Sequence, residues 1–390
     1  MVTVPLSAQP VGDPSELGFD PVAIAALEER ARREIDAGLL PSCQLALARD
    51  GRVAWTSTLG DAAADSRYVI FSATKALVAG AVWLLIGEGR LDPAERVGQI
   101  IPEFAANGKE AITVEQVMLH TSGFPRAPLG PPRWADRDTR IAAFAKWRCT
   151  WEPGTRYEYH PTSAHWVLAE IIERRTDDDY RAFVRRRIVE PLGLRDLQLG
   201  ALPGEPPVAN VNQLIRTGEV ASPDEIEAAL GIRELPITEV TTESLLAFNE
   251  PANKAVGVPG GGAVSTAADL ALYYQALLHN ANALWDDEVL RDVTSNVRNR
   301  LPDYLGVPAN RTLGVLIAGD DGKAHIRGFG HTVSPRAFGH NGASGQVAWA
   351  DPDTGVSFCY FTNGLDEHVL RHSRRSSGVA SRAAQCLRVR

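Results

Sequence analysis

Phe71-Ser72-Ala73-Thr74-Lys75 sets a hydroxyl and an amine three residues apart. On a helix, positions i and i+3 share a face, one turn apart, so the amine can reach the hydroxyl. The residues that follow, Ala76 to Ile86, are apolar apart from Gly80 and show no polar stripe, which predicts a helix buried on all sides. A lysine at the start of such a helix meets a cost, because burial disfavours its charged form. A shift of about three pKa units, roughly 4 kcal/mol, would bring it near neutrality. A neutral amine beside a serine is the chemistry of a Ser–Lys nucleophile. The same five residues also describe an N-cap serine followed by a lysine that snorkels to the surface. With 19 serines and 5 lysines in 390 residues, S-x-x-K is expected by chance about 0.24 times. Support has to come from the rest of the chain.

The elements that must position this stretch read as follows. Pro21 to Gly38 has the pattern of an amphipathic helix with a glycine stop. Gln44–Arg49 and Arg52–Trp55 flank Asp50-Gly51, a strong hairpin signal. Helical pattern dominates beyond Ser72. Thr113-Val-Glu-Gln116 opens a helix with a capping box, and Ser222-Pro-Asp-Glu225 opens another. Ile141–Trp147, Trp166–Arg175 and Tyr180–Val189 predict three more, and Ser265-Thr266 a helix through Leu278. Strands return at Thr312–Ala318, Gln346–Ala350 and Val356–Thr362, and a last helix starts near Glu367. This order predicts an α+β fold: an antiparallel sheet flanked by helices, with an inserted, mainly helical domain. The expected division is residues 1–75 with 256–390 as the sheet domain, and 76–255 as the helical one, with a lid-like insertion around 200–255.

Composition removes several classes of function. The net charge of −8 disfavours a nucleic-acid partner. No apolar run approaches the 18 residues of a membrane span. The N-terminal MVTVPLSAQPVGDP lacks the basic and apolar regions of a secretory signal, so the expected compartment is the cytoplasm. Cys43, Cys149, Cys359 and Cys386 are scattered, as buried thiols would be. His368 and His372 stand at i, i+4 without a third ligand, and read as an exposed helix face rather than a metal pair. Val258-Pro-Gly-Gly-Gly262 lacks a phosphate-loop pattern and reads as close backbone packing. No G-x-S-x-G elbow is present. No metal or cofactor is expected, and the partner is a small-molecule ester.

Further stretches join Ser72–Lys75 in order: Met118-Leu-His-Thr-Ser-Gly-Phe124, Pro153-Gly-Thr-Arg-Tyr-Glu-Tyr159, Glu190-Pro-Leu-Gly-Leu194, Pro259-Gly-Gly-Gly-Ala-Val-Ser-Thr266 and Phe338-Gly-His-Asn-Gly342. Together, over about residues 20–365, they resemble the serine β-lactamase and penicillin-binding-protein-like superfamily, on its class C side and near the family VIII carboxylesterases. The resemblance implies Ser72 as acylated nucleophile, and Lys75 with Tyr159 as the pair that moves its proton. Tyr159 would need a nearby cation, such as Lys75, to act as phenolate or relay. The resemblance further implies that His340 bonds into this proton network and that the backbone N–H groups of Ser72 and Ala343 form the oxyanion hole. Gly342 and His160 would line the substrate pocket.

Two departures narrow the substrate. The family's Y-x-N is here Tyr159-His160-Pro161, and Pro161 offers neither a side-chain amide nor an N–H. The family's K-T-G is here His340-Asn341-Gly342, so the lysine that would attract a carboxylate is gone. Both changes point away from lactams and peptides, toward esters. The expected protein is a carboxylesterase; an acyltransferase or residual β-lactam or amide hydrolase uses the same acyl-enzyme, and a silent binding protein of the same fold is the non-enzymatic alternative.

Overall fold

The computed structural model describes residues 5–235 and 240–388. Residues 236–239 of the expected insertion lie outside it, as do the extreme termini. The central feature is a six-stranded antiparallel sheet built from both ends of the chain. Its strands are β1 (Ser42–Arg49), β2 (Arg52–Gly60), β3 (Leu316–Ile317), β4 (Phe338–Gly339), β5 (Val347–Asp351) and β6 (Val356–Thr362), in the spatial order β2-β1-β6-β5-β4-β3. The first hairpin turns at Asp50 and Gly51, with φ of 52° and 73°, as a two-residue turn with both centres left-handed requires.

Period-2 alternation explains how one sheet serves two cores. Leu45 and Leu47 of β1, with Phe358 and Tyr360 of β6, face the terminal helices Pro21–Asp36 and Val369–Ala384. Ala46 and Ala48, with Cys359 and Phe361, face the opposite way, onto the larger core that holds the helix Ala267–His279 and the helix Thr74–Gly87. Every residue of that helix from Thr74 to Leu85 is buried, as its apolar run predicts. Gly80 has a packing reason. A Cβ there would stand 2.4 Å from Tyr273 Oη, which donates to the Ala76 carbonyl at 2.8 Å.

Several boundaries differ from the sequence reading. The strand expected over Thr312–Ala318 is confined to Leu316–Ile317, because Gly314 at φ 121° breaks the extended run. The helix expected over Tyr180–Val189 is α-helical only to Val184 and continues as a π turn, Arg185–Val189. Ser222 and Glu225 form the expected capping box on Pro223–Leu230. His372 is not on an exposed face: burial pushes its imidazole down to about 4. No helix among the described residues is long and apolar enough to cross a membrane.

Candidate active site

Ser72 sits in a single 3₁₀ turn, Phe71–Ala73, that feeds the helix Thr74–Gly87. Short strands hold this turn: Tyr68–Val69 pairs with Ala263–Ser265, and the Ala263 N–H donates to Thr74 Oγ1 at 3.1 Å. Phe71 is at φ 45°, a left-handed conformation that a bulky residue adopts only where its surroundings impose it. The ring of Phe248, from the insertion, stands edge-on to Phe71 at 6.0 Å.

Lys75 is fully buried and points back at the serine. Its Nζ lies 3.2 Å from Ser72 Oγ, 2.7 Å from the Pro161 carbonyl and 2.6 Å from the Gly260 carbonyl. Two carbonyls therefore take two hydrogens, and the third tetrahedral direction faces Ser72 Oγ. Burial pushes the amine well below the ordinary lysine range, and the Arg311 charge adds to the effect. In its unprotonated form an amine so held presents its lone pair to the serine hydroxyl. Pro161 and the glycine run thus have a use in their backbones: a Cβ on Gly260 would fall 2.8 Å from the Pro161 carbonyl oxygen and 3.4 Å from Lys75 Nζ.

Tyr159 is brought to the same spot by the His120–Phe124 stretch. The Glu158 N–H donates to the His120 carbonyl at 3.3 Å, and the His160 N–H donates to His120 Nδ1 at 3.0 Å. The Lys75 amine lies 4.9 Å from the centre of the tyrosine ring. Burial raises the Tyr159 phenol; the Arg311 charge and the nearby Ser72 hydroxyl work against that rise without reversing it. The phenol is therefore neutral at rest, contrary to a phenolate sustained by Lys75, and its oxygen makes no hydrogen bond of ordinary geometry.

His340 reaches the site, its ring 6.0 Å from that of Tyr159. It does not hydrogen-bond the tyrosine as expected. Nδ1 donates to the Asn341 carbonyl at 2.9 Å, and Nε2 has no partner. Burial, with the Arg311 and Lys75 charges behind it, holds the imidazole well below its usual range, so it is neutral. Gly342 is needed for close approach: a Cβ there would meet the Ile70 carbonyl oxygen at 2.3 Å. Gln346 pins the same segment, donating to the Val69 carbonyl at 3.0 Å. Ala343 follows at the start of the next turn, Ala343–Gly345.

His160 does not line the pocket. It is fully buried and both ring nitrogens are committed: Nδ1 donates to the Glu158 carbonyl at 2.6 Å, while Nε2 accepts from the Phe124 N–H at 3.2 Å and bonds Ser122 Oγ at 3.1 Å. It is a staple between two loops. His120 and His165 are buried beside it, their rings 6.0 Å apart.

Four histidines are thus held neutral by burial: His160 is pushed down to about 3, and His120, His165 and His340 lie well below their usual value. Below pH 6.5 the unfolded chain binds protons that folded His160 refuses until about pH 3, so this stability is complete above about 6.5 and is lost on acidification. For His160 alone the loss at pH 5 is about 2 kcal/mol. Glu173 and Asp269, raised by burial to about 7 and about 6, act in the opposite direction, but they are two against these four histidines and His372, which is pushed down to about 4. The urea midpoint is expected to be clearly lower at pH 5 than at pH 7.5; an unchanged or higher midpoint would contradict neutral buried histidines.

The sequence reading missed Arg311. It is 3% exposed, and its guanidinium carbon lies 5.2 Å from the Tyr159 ring centre. Its surroundings in the sequence, Asn310-Arg311-Thr312, belong to no motif and carry no signal of the site.

Known proteins resemble this chain in sequence and in fold. The chain is similar to the esterase/beta-lactamase LipL of Mycobacterium tuberculosis, 29% identical over 81% of this chain and 72% of that one. A putative D-alanyl-D-alanine carboxypeptidase of Escherichia coli is 22% identical over 90% of this chain and 84% of its own length. Among solved structures, a penicillin-binding protein homolog from Caulobacter crescentus superposes with a TM-score of 0.76 at 27% identity, covering 95% of this chain and 99% of that one. A family VIII carboxylesterase gives 0.73 at 24% identity, covering 94% and 98%. The sequence model of the beta-lactamase family matches residues 27–379, and with the fold in agreement the chain belongs to that family.

Proposed function

We propose that the protein is a serine carboxylesterase that works through an acyl-Ser72 intermediate. The observation that carries this reading is the Lys75 amine, held by two carbonyls at 2.7 and 2.6 Å and facing Ser72 Oγ at 3.2 Å. The neutral amine takes the Ser72 proton as Oγ attacks the ester carbonyl carbon. The resulting oxyanion lies against the N–H groups of Ser72 and Ala343. The proton passes from the Lys75 ammonium through the neutral Tyr159 phenol to the alkoxide oxygen, the C–O bond breaks, and the alcohol leaves. Water then gives a proton to the same pair, attacks the acyl carbon and releases the acid, and Ser72 regains its proton. His340 contributes an uncharged wall with a free acceptor at Nε2. Esters are favoured because Pro161 and His340 stand where amide and carboxylate recognition would otherwise be.

Intact-protein mass spectrometry during turnover of short-chain p-nitrophenyl esters tests this. A single acyl adduct on Ser72 and release of free acid are expected. Absence of both turnover and adduct, with no fluorophosphonate labelling, would favour a silent binding protein. Acyl transfer to an added alcohol in preference to water would make the protein a transferase.

A further inference from the structure

Four arginines are buried among the described residues: Arg140, Arg311, Arg327 and Arg375. Three have carboxylate partners. Arg327 Nη1 meets Asp321 at 2.8 Å, Arg375 meets Asp366 at 3.2 Å, and Arg140 lies 3.6 Å from Glu173. Arg311 has none. Its Nε donates to Tyr157 Oη at 3.2 Å, its guanidinium carbon lies 5.8 Å from the Tyr157 ring centre and 5.2 Å from that of Tyr159, and Nη1 is buried without a partner. An arginine stays charged in any protein environment. Burying such a charge without a counter-ion is expensive, and two ring faces return only part of that cost. The neighbouring titratable groups do not help: Lys75 and His340 carry no negative charge in either protonation state, and burial raises the Tyr159 phenol. A permanent, unneutralised cation therefore stands one tyrosine away from the nucleophile.

We propose that Arg311 is the receptor for an anionic group on the substrate, and that the preferred esters carry a carboxylate on the alcohol side. This deepens the esterase reading and rests on it. The side follows from Tyr159. The leaving oxygen must approach the phenol that protonates it, and Arg311 covers the face of that same ring. The guanidinium fork matches a carboxylate in shape as well as charge. The loss of the lysine before Asn341-Gly342 therefore does not abolish anion recognition; it moves the positive charge from the His340 strand to the Arg311 segment. It also changes a point charge into a planar fork.

A matched pair of acetates isolates the effect: 4-acetoxybenzoate, and its neutral methyl ester, each followed by acetate release. The wild-type protein is expected to prefer the acid by tenfold or more in kcat/KM, mainly through a lower KM. In Arg311→Met that ratio falls to about one, and in Arg311→Lys it recovers in part. A wild-type ratio near one overturns the proposal. So does an Arg311→Met protein that loses both esters in equal proportion with a displaced kcat–pH profile, because the arginine would then be serving the Tyr159–Lys75 pair. Should Arg311→Met fail to fold, ligand binding decides without it. The Ser72→Ala protein should gain melting temperature with 4-hydroxybenzoate and not with methyl 4-hydroxybenzoate; equal response to both overturns the proposal. This last reading needs no turnover, so failure of the esterase assignment is seen separately, as a wild-type protein that acetylates at no residue.

Discussion

Ser72→Ala is expected to lose ester turnover by at least about a thousandfold and to carry no acyl adduct in the intact mass spectrum. The change removes one oxygen and leaves the cradle in place. The nucleophile turn is held through Thr74 Oγ1 and the strand Ala263–Ser265, none of which uses Ser72 Oγ. Folding should therefore survive and the loss should be chemical. Ser122 is no substitute, since its hydroxyl is engaged with His160 at 3.1 Å on the buried side of the loop. An acyl adduct that persists in Ser72→Ala, mapped by peptide digestion, would place the nucleophile elsewhere and sink the assignment.

Lys75→Arg should be nearly as damaging, with a loss of about 10²–10⁴ in kcat/KM. It preserves a positive nitrogen donor and removes the only property the site needs, a proton that can leave. Arginine does not deprotonate in proteins, and the space between the Pro161 and Gly260 carbonyls fits one nitrogen. The pH profile separates this from simple crowding. In the wild type the reactive form is the unprotonated amine, so activity rises with pH through the Lys75 pKa. Because burial lowers that pKa, the rising limb lies well below 10.5. In Lys75→Arg the residual activity should lack the limb. A variant that kept both the limb and the rate would assign the base to another group.

Local rules made part of this site legible in the sequence. The nucleophile helix could be read because an all-round apolar run allows a helix only one place, the interior. The hairpin could be read because Asp50-Gly51 tolerates two left-handed residues in succession. His160 shows where such reading stops. Its nearness to Tyr159 in the chain suggested a shared pocket, yet successive residues of an extended segment point to opposite sides, and His160 turns inward to staple the His120–Phe124 stretch. Pro161 shows a second limit. Its side chain argued for something missing, whereas the carbonyl that every residue carries is what holds Lys75. Arg311 was invisible for a third reason. Its meaning depends on a carboxylate that is absent in three dimensions, and a sequence of 48 acidic residues does not say which cation they leave alone.

The pairing of β1 with β6, from Cys43 opposite Thr362 to Arg49 opposite Val356, joins residues more than three hundred positions apart. That contact closes late. A nascent chain can emerge with Ser72, Lys75 and Tyr159 all synthesised and still have β1 exposed along one edge, because its partner has not left the ribosome. Such an edge invites pairing with other chains, and long-range closure of this kind is slow. The sheet beside Ser72 is therefore closed only after β6 has been made, and solubility during synthesis rests on how β1 is kept occupied until then.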